Sequence, residues 1–547
     1  MRICLLACTF LGLVFSACGG SSDRPAELPL SEQPYTTLQA VWEPIMASDE
    51  TLAKIESGEL TVYDHPLFSA AGFGVRLIAG NPWLELTELA PDFVAGAAEA
   101  RRSLAYFWQV ADPQLIDEES PIRFEAFVYL YRPNGHYSPQ VFASHVATAR
   151  RISERSGRPF DFALMAGDLS DGSQRNELSW ALGIMEGGLV NPDSGRDDDP
   201  LPNPAEDYND PFWSAGLGRP WYAAIGNHET LYNGGVGIIS DELREAAMGT
   251  EVYFHGLMPN GFCDGSHPDA PLLLEGPTPA DPDRVPLRRA EVVELIGHWP
   301  GLPEGHGLTA TNLAEGTAYF SVHPLADRPL RLLVLDTANS EPEGIGEGSN
   351  GYVDEAQFAW LDQELSSAQA AGDLVILMSH HRPEDFSAES PTSGSVLRER
   401  LALSEELVLH MTGHGHSNTK RLVPSVNGLG GHWQLMLAST LDFPQQSRIF
   451  EIVWEGNGFL SIYATNLDHN APEDCLTHKA RELAAANLTL GPSTMGNNVA
   501  EYWQSDLEGQ NLLLRVPIPE SVQARLSEFD WSKRIESEET LLNFQGP

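Results

Sequence analysis

Five short stretches of the 547-residue chain place Asp, Asn, Gln or His directly after an apolar run. They are Asp112-Pro113-Gln114, Gly167-Asp168, Gly226-Asn227-His228-Glu229, His380-His381 and Gly413-His414-Gly415-His416. Carboxylate and carboxamide oxygens combined with imidazoles suit Mn, Fe or Zn, and the absence of thiolates beside them argues against a structural cysteine zinc site. Glycines next to such donors let the backbone turn tightly and keep side chains out of the way. Taken singly, each stretch has a plainer reading. Gly-Asp is common turn chemistry, and a lone histidine at a strand end is more often a satisfied core or surface residue. As a set sharing one plan they read as a metal site, with Asp168 the residue on which they converge.

Bringing five such tips together requires strands whose carboxyl ends share one edge, the place where α/β folds keep their sites. The apolar runs 104–111, 160–165, 220–225, 374–378 and 407–411 predict those strands. Further strands are predicted at 318–323, 330–336, 433–440, 447–454 and 459–464. Helical spacing predicts helices over 139–154, 172–187 and 354–371, the last with Phe358, Leu361 and Leu365 inward. Residues 230–316 are Gly/Pro-rich and read as an insertion over the site, with one helix at 288–298. The loop 191–215 contains Asp197-Asp198-Asp199, a solvated acidic run without the glycine and terminal glutamate of a calcium-binding loop. After residue 466 the chain shows helical pieces and no legible motif.

The order DxQ, GDxxD, GNHE, a His and GHxH resembles the calcineurin-like metallophosphoesterase superfamily over roughly residues 104–465. Residues 351–365, GYVDEAQFAWLDQEL, are similar to the helix this family places before its lone-His strand. The text around the motifs resembles a bacterial secreted or lipoprotein subgroup. The resemblance implies an α/β fold, a four-layer αββα sandwich of two mixed β-sheets, with metals at the strand ends and N- and C-terminal extensions outside. It implies two divalent cations, Mn, Fe or Zn with Mg as a further candidate. Asp112, Gln114, Asp168 and His416 would hold the first, and Asp168, Asn227, His380 and His414 the second, with Asp168 bridging. His381 is the alternative to His380. The implied reaction is hydrolysis of phosphomonoesters or phosphodiesters through a metal-bridged hydroxide. Asp168 and His228 would be catalytic, His228 contacting the phosphate and helping to protonate the leaving group. Asp171 reads as a structural hydrogen-bonding residue. One position departs from the pattern: Gln114 stands where a histidine is usual. A carboxamide oxygen is a neutral, weaker ligand than imidazole for Zn or Fe, which tilts that position toward Mn or Mg. A similar Asp-Pro-Gln occurs in active branches of the superfamily. The alternative is a metal-binding cell-surface protein that has lost the first metal and with it catalysis.

Composition narrows the partners. With 33 Lys+Arg against 77 Asp+Glu, the formal net charge is −44. Such a chain lacks the cations that neutralise nucleic-acid phosphates, and a phosphorylated small-molecule substrate would need bound cations to invert the local sign. A 42% hydrophobic content with 12 Trp is ample for a large core. Residues 1–17 read as a signal peptide of lipoprotein type: Met1-Arg2, an apolar run over 3–15, then Phe15-Ser16-Ala17-Cys18, which resembles a bacterial lipobox. Lipidation of Cys18 would anchor an exported protein to the membrane on its periplasmic or cell-surface side; cleavage without the lipid would release it. Gly19-Gly20-Ser21-Ser22 has tether composition. The predicted division is a tether and N-terminal extension over 18–100, the phosphoesterase-like domain over 101–466 and a C-terminal extension over 467–547. Outside the signal only Cys263 and Cys475 remain, a candidate disulfide pair in an oxidising compartment. Oligomeric state leaves no mark in the sequence.

Overall fold

Thirteen of the strands build two mixed β-sheets, as the resemblance implies. In chain order they begin with β1 (Leu84–Leu86), β2 (Arg102–Val110), β3 (Phe162–Met165), β4 (Trp221–Ala223), β5 (Phe320–Val322), β6 (Leu330–Val334) and β7 (Leu374–Met378). They continue with β8 (Leu407–Thr412), β9 (Thr419–Pro424), β10 (Gly431–Met436), β11 (Gln446–Trp454), β12 (Phe459–Asp468) and β13 (Leu512–Pro517). One sheet has the order β1-β13-β12-β11-β2-β3-β4 and the other β9-β10-β8-β7-β6-β5. Strands β2, β3 and β4 run parallel, as do β6, β7, β8 and β10. The computed structural model describes residues 25–531 except 32–34, 46–47, 49, 51–52, 55–56, 58–73, 124–131, 133, 197–206, 236–238, 252–277, 339–348, 429, 474 and 491–498. Residues 1–24 with Cys18, the Asp197-Asp198-Asp199 run and Cys263 lie outside the described residues.

The period-2 alternation of the six-stranded sheet decides the layering. Leu330, Leu332, Val334, Leu374, Ile376 and Met378 face the core shared with the seven-stranded sheet. Their neighbours Leu333, Leu335, Val375 and Leu377 face the other way, onto Leu361, Leu365 and Ala368 of the helix Glu355–Ala371 and Leu397 and Leu401 of the helix Gly394–Leu401. Asp354 caps the first of these helices, its side chain accepting from the Gln357 N–H, and Gly372 ends it in the left-handed conformation. The seven-stranded sheet packs Phe142, Val146, Ala149 and Ile152 of the helix Ser138–Arg155, and Leu178 and Leu182 of the helix Arg175–Glu186. Helix, sheet, sheet, helix is the resulting order.

Three strands of these two sheets were not foreseen. β9 (TKRLVP) is mostly half-exposed and has no clear apolar alternation, and β1 is three residues long. β13 falls in the region read as helical, yet it pairs antiparallel with β12 and parallel with β1 inside the large sheet. The 230–316 segment holds helices Asp241–Met248 and Ala310–Glu315 besides the expected Arg289–His298. Among the described residues no helix is long and apolar enough to cross a membrane.

Candidate metal centre

Each predicted site residue lies just past the carboxyl end of a parallel strand. Asp112 and Gln114 follow β2, Asp168 follows β3, Asn227 and His228 follow β4, His380 follows β7, and His414 and His416 follow β8. Within each sheet neighbouring tips are joined by backbone bonds: Asp112 N–H donates to Gly167 O and Gln114 N–H to Asp168 O in the seven-stranded sheet, and Gly413 N–H to His380 O at 3.0 Å in the six-stranded one. Five of the eight residues adopt left-handed backbone conformations: Asp112 (φ 50°), Gln114 (φ 40°), Asp168 (φ 53°), His414 (φ 69°) and His416 (φ 50°). Non-glycine residues held this way cost on the order of 1–3 kcal/mol each and persist only where their surroundings over-determine them, characteristically at functional sites.

The side chains converge. His380 Nε2 lies 3.1 Å from Asp168 Oδ2 and 3.0 Å from Asn227 Oδ1, and its Nδ1 is 3.9 Å from Asp112 Oδ1. His416 Nε2 is 3.4 Å from Asp112 Oδ1. Asp112, Asp168 and His380 form one group able to hold an ion, and His380, His381 and His414 form a second. His380 and His381 differ in their engagements. His381 Nδ1 is 2.9 Å from Thr337 Oγ1 and its Nε2 2.9 Å from Ser349 O, so both ring nitrogens have partners away from the carboxylates. His380 Nδ1 donates to Ala166 O at 2.7 Å, which turns Nε2 toward Asp168.

Asn227 Nδ2 donates to Gly234 O at 2.6 Å, leaving its oxygen for the centre. Gln114 Oε1 is buried with no hydrogen-bond partner, an acceptor without a donor. Asp112 and Asp168 are fully buried, and among the described residues no Lys or Arg nitrogen lies within ion-pair distance of either. Two buried carboxylates, an orphaned amide oxygen and convergent imidazoles fit divalent cations of the Mn, Fe, Zn or Mg kind, since buried charge must be compensated.

Titration follows the same geometry. Burial alone would depress His380, but Asp168 outweighs it and holds the imidazole up at about 9. For His416 burial is likewise overridden, by Asp112 and then Asp442, giving about 10. His414 goes down, through burial and the neighbouring His380. A cation bound among these groups takes over the compensation, and the ligating imidazoles are then neutral.

His228 is set apart from the donors. Its Nδ1 lies 2.8 Å from Asp171 O and 3.3 Å from Asp171 Oδ1, while Nε2 is 4.0 Å from Asp168 Oδ2. Burial lowers its pKa, Asp168 and Asp171 more than restore it, and it stands at about 9. The hydrogen bond that Asp171 makes to His228 comes from its backbone carbonyl, and its side-chain Oδ1 has no hydrogen-bond partner.

Three further residues complete the constellation. Glu229 accepts from Asp168 N, Gly226 N and Ser170 N, each at 2.9 Å, and so ties the β3 and β4 tips together. Asp442 follows β10 and touches His416, and Arg132 touches Asp442. Asp442 lies two residues beyond the anticipated strand 433–440, in a turn that none of the five stretches marks. No protein-family model matches the chain, and no curated protein does. Among solved structures a dimetal phosphatase from Danio rerio is similar at 13% identity and a TM-score of 0.39, over 68% of this chain and 100% of that one.

Proposed function

We propose that the chain is a metal-dependent phosphoesterase acting on a phosphorylated small molecule. Asp112, Gln114, Asp168 and His416 would hold one cation and Asp168, Asn227, His380 and His414 the other. The observation that carries this reading is the pair of fully buried carboxylates, Asp112 and Asp168, approached by imidazoles and, among the described residues, by no Lys or Arg nitrogen. Bound cations there supply an acidified water and take up charge on the phosphoryl oxygens. The chain's own residues do the rest. Asp168 is shared between the two halves of the donor set, reached by His380 from one sheet and by His228 N–H, at 2.9 Å, from the other. With Nδ1 held by the Asp171 carbonyl, His228 directs Nε2 toward the centre and carries a proton there for the departing oxygen. The net charge of −44 favours a small phosphate ester over nucleic acid. Export and attachment through a lipid on Cys18 belong to the same proposal and rest on the lipobox-like Phe15-Ser16-Ala17-Cys18.

The test is metal content of the purified mature protein paired with turnover of p-nitrophenyl phosphate and bis-p-nitrophenyl phosphate in Mn(II). About two metals per chain are expected, with turnover lowered roughly 10²–10⁴-fold in His228→Ala at unchanged metal content. Equal rates in the variant, or no turnover, would sink the enzyme reading. A single bound metal without turnover would favour the metal-binding cell-surface protein, with Gln114 as the failed ligand.

A further inference from the structure

The turn after β10 carries a carboxylate that no motif marks. Asp442 Oδ2 lies 2.5 Å from His416 Nδ1, and Arg132 Nε donates to both Asp442 oxygens at 2.9 and 3.1 Å. Arg132 Nη1 lies 3.6 Å from Asp171 Oδ1, so one guanidinium spans the carboxylates behind His416 and His228. The turn is stitched to the first site loop. Ser439 Oγ donates to Asp112 O at 2.6 Å and accepts from Leu441 N at 2.8 Å, and Asn134 Nδ2 donates to Leu441 O at 2.7 Å. Asp442 is therefore placed by the same bonds that place Asp112.

Its effect on His416 follows from the contact. With Nδ1–H directed at a carboxylate, the neutral ring carries its lone pair on Nε2, the nitrogen 3.4 Å from Asp112 Oδ1. A carboxylate on the distal N–H fixes the ring and raises its donor strength. That matters at this position, because Gln114 contributes only a neutral amide oxygen beside it. We propose that Asp442, itself held by Arg132, is a positioning residue for the first metal: it keeps His416 in its ligating tautomer and offsets the weak Gln114 ligand. The inference rests on the two-cation reading above.

Calorimetric titration of the metal-free full mature protein with Mn(II) tests it. Wild type should show two classes of site. Asp442→Asn should weaken one of them by about 10–100-fold and leave the other at its wild-type affinity, which also reports an intact fold. His416→Gln should weaken the same class. Adding Asp442→Asn to His416→Gln should then change little, because Asp442 acts through that ring. Two unchanged sites in Asp442→Asn would overturn the inference and leave the phosphoesterase reading standing, and so would losses in the double variant that simply add. Wild-type protein that takes up fewer than two Mn(II) would overturn the two-cation reading and this inference with it.

Discussion

Gly226 shows how narrowly the site is drawn at the scale of single residues. A Cβ at this position would run into Asp168 Oδ1 and the Asp168 backbone nitrogen. Neither can retreat, because Glu229 holds Asp168 N and Asp168 Oδ1 itself accepts from His228 N. Gly226→Ala is expected to abolish Mn(II) uptake or lower stability by several kcal/mol, on the order of 1–3 for the overpacking and more where buried bonds break. Metal content and urea denaturation would check it, and a variant indistinguishable from wild type in both would show the β4 tip to be pliable. The eight candidate residues stood out in the sequence because their types are chemically unusual at strand ends and recur with one plan. Asp442 was not, because Leu441-Asp442-Phe443 is an ordinary turn in sequence. Its role comes from the contact with His416, which exists only because β10 lies beside β8.

Among the elements, the strands that feed the centre were the most legible and the edge strands the least. β7 is an unbroken apolar run because it is buried on both faces between parallel neighbours, and its limits matched the expected 374–378. β9 and β13 gain strand character from their partners, β10 and β12, and their own residues carry little of it. The helices Ser138–Arg155, Arg175–Glu186 and Glu355–Ala371 were found to within a few residues, whereas Gly394–Leu401, which also packs on a sheet, was not foreseen. The helix Arg175–Glu186 contains Gly183, half-buried, helical and with nothing within 4 Å of the place a Cβ would occupy. Glycine here costs backbone entropy without serving a contact. Gly183→Ala should raise stability by about 0.5–1 kcal/mol in urea denaturation and leave metal uptake unchanged. A loss of stability would mean that the side chain meets neighbours after all.

For the whole molecule, the burial of histidines has a consequence for pH. His145 and His432 are fully buried, and burial depresses both to about 3, with Arg481 adding to the effect at His145 and His410 at His432. The unfolded chain takes up these protons near the ordinary histidine pKa of about 6.5, whereas the folded chain refuses them until about 3. The stability they lend is thus fully present above about 6.5 and is lost as pH falls toward 3. Each contributes a slope approaching ~1.4 kcal/mol per pH unit across that window. Thermal unfolding between pH 7 and 4 should therefore be less acid-sensitive in His432→Gln than in wild type. Parallel pH dependences would show that the imidazole is already charged in the fold.

The sequence by itself determined the chemistry on offer: which donors the chain carries, that each follows an apolar run, and that the charge outside the site is strongly negative. It also determined most of the strands and helices, because period-2 and period-3.6 burial are local patterns. Which donors meet depends on the folded chain. The choice of His380 over His381 depends on whether a ring nitrogen faces Asp168 or Thr337. The Glu229 tie, the Asp442–His416 contact and the entry of β13 into the large sheet each join residues tens of positions apart. Such pairings are fixed by strand order and by the backbone strain that a packed core can sustain, and neither is written in any local stretch of the chain.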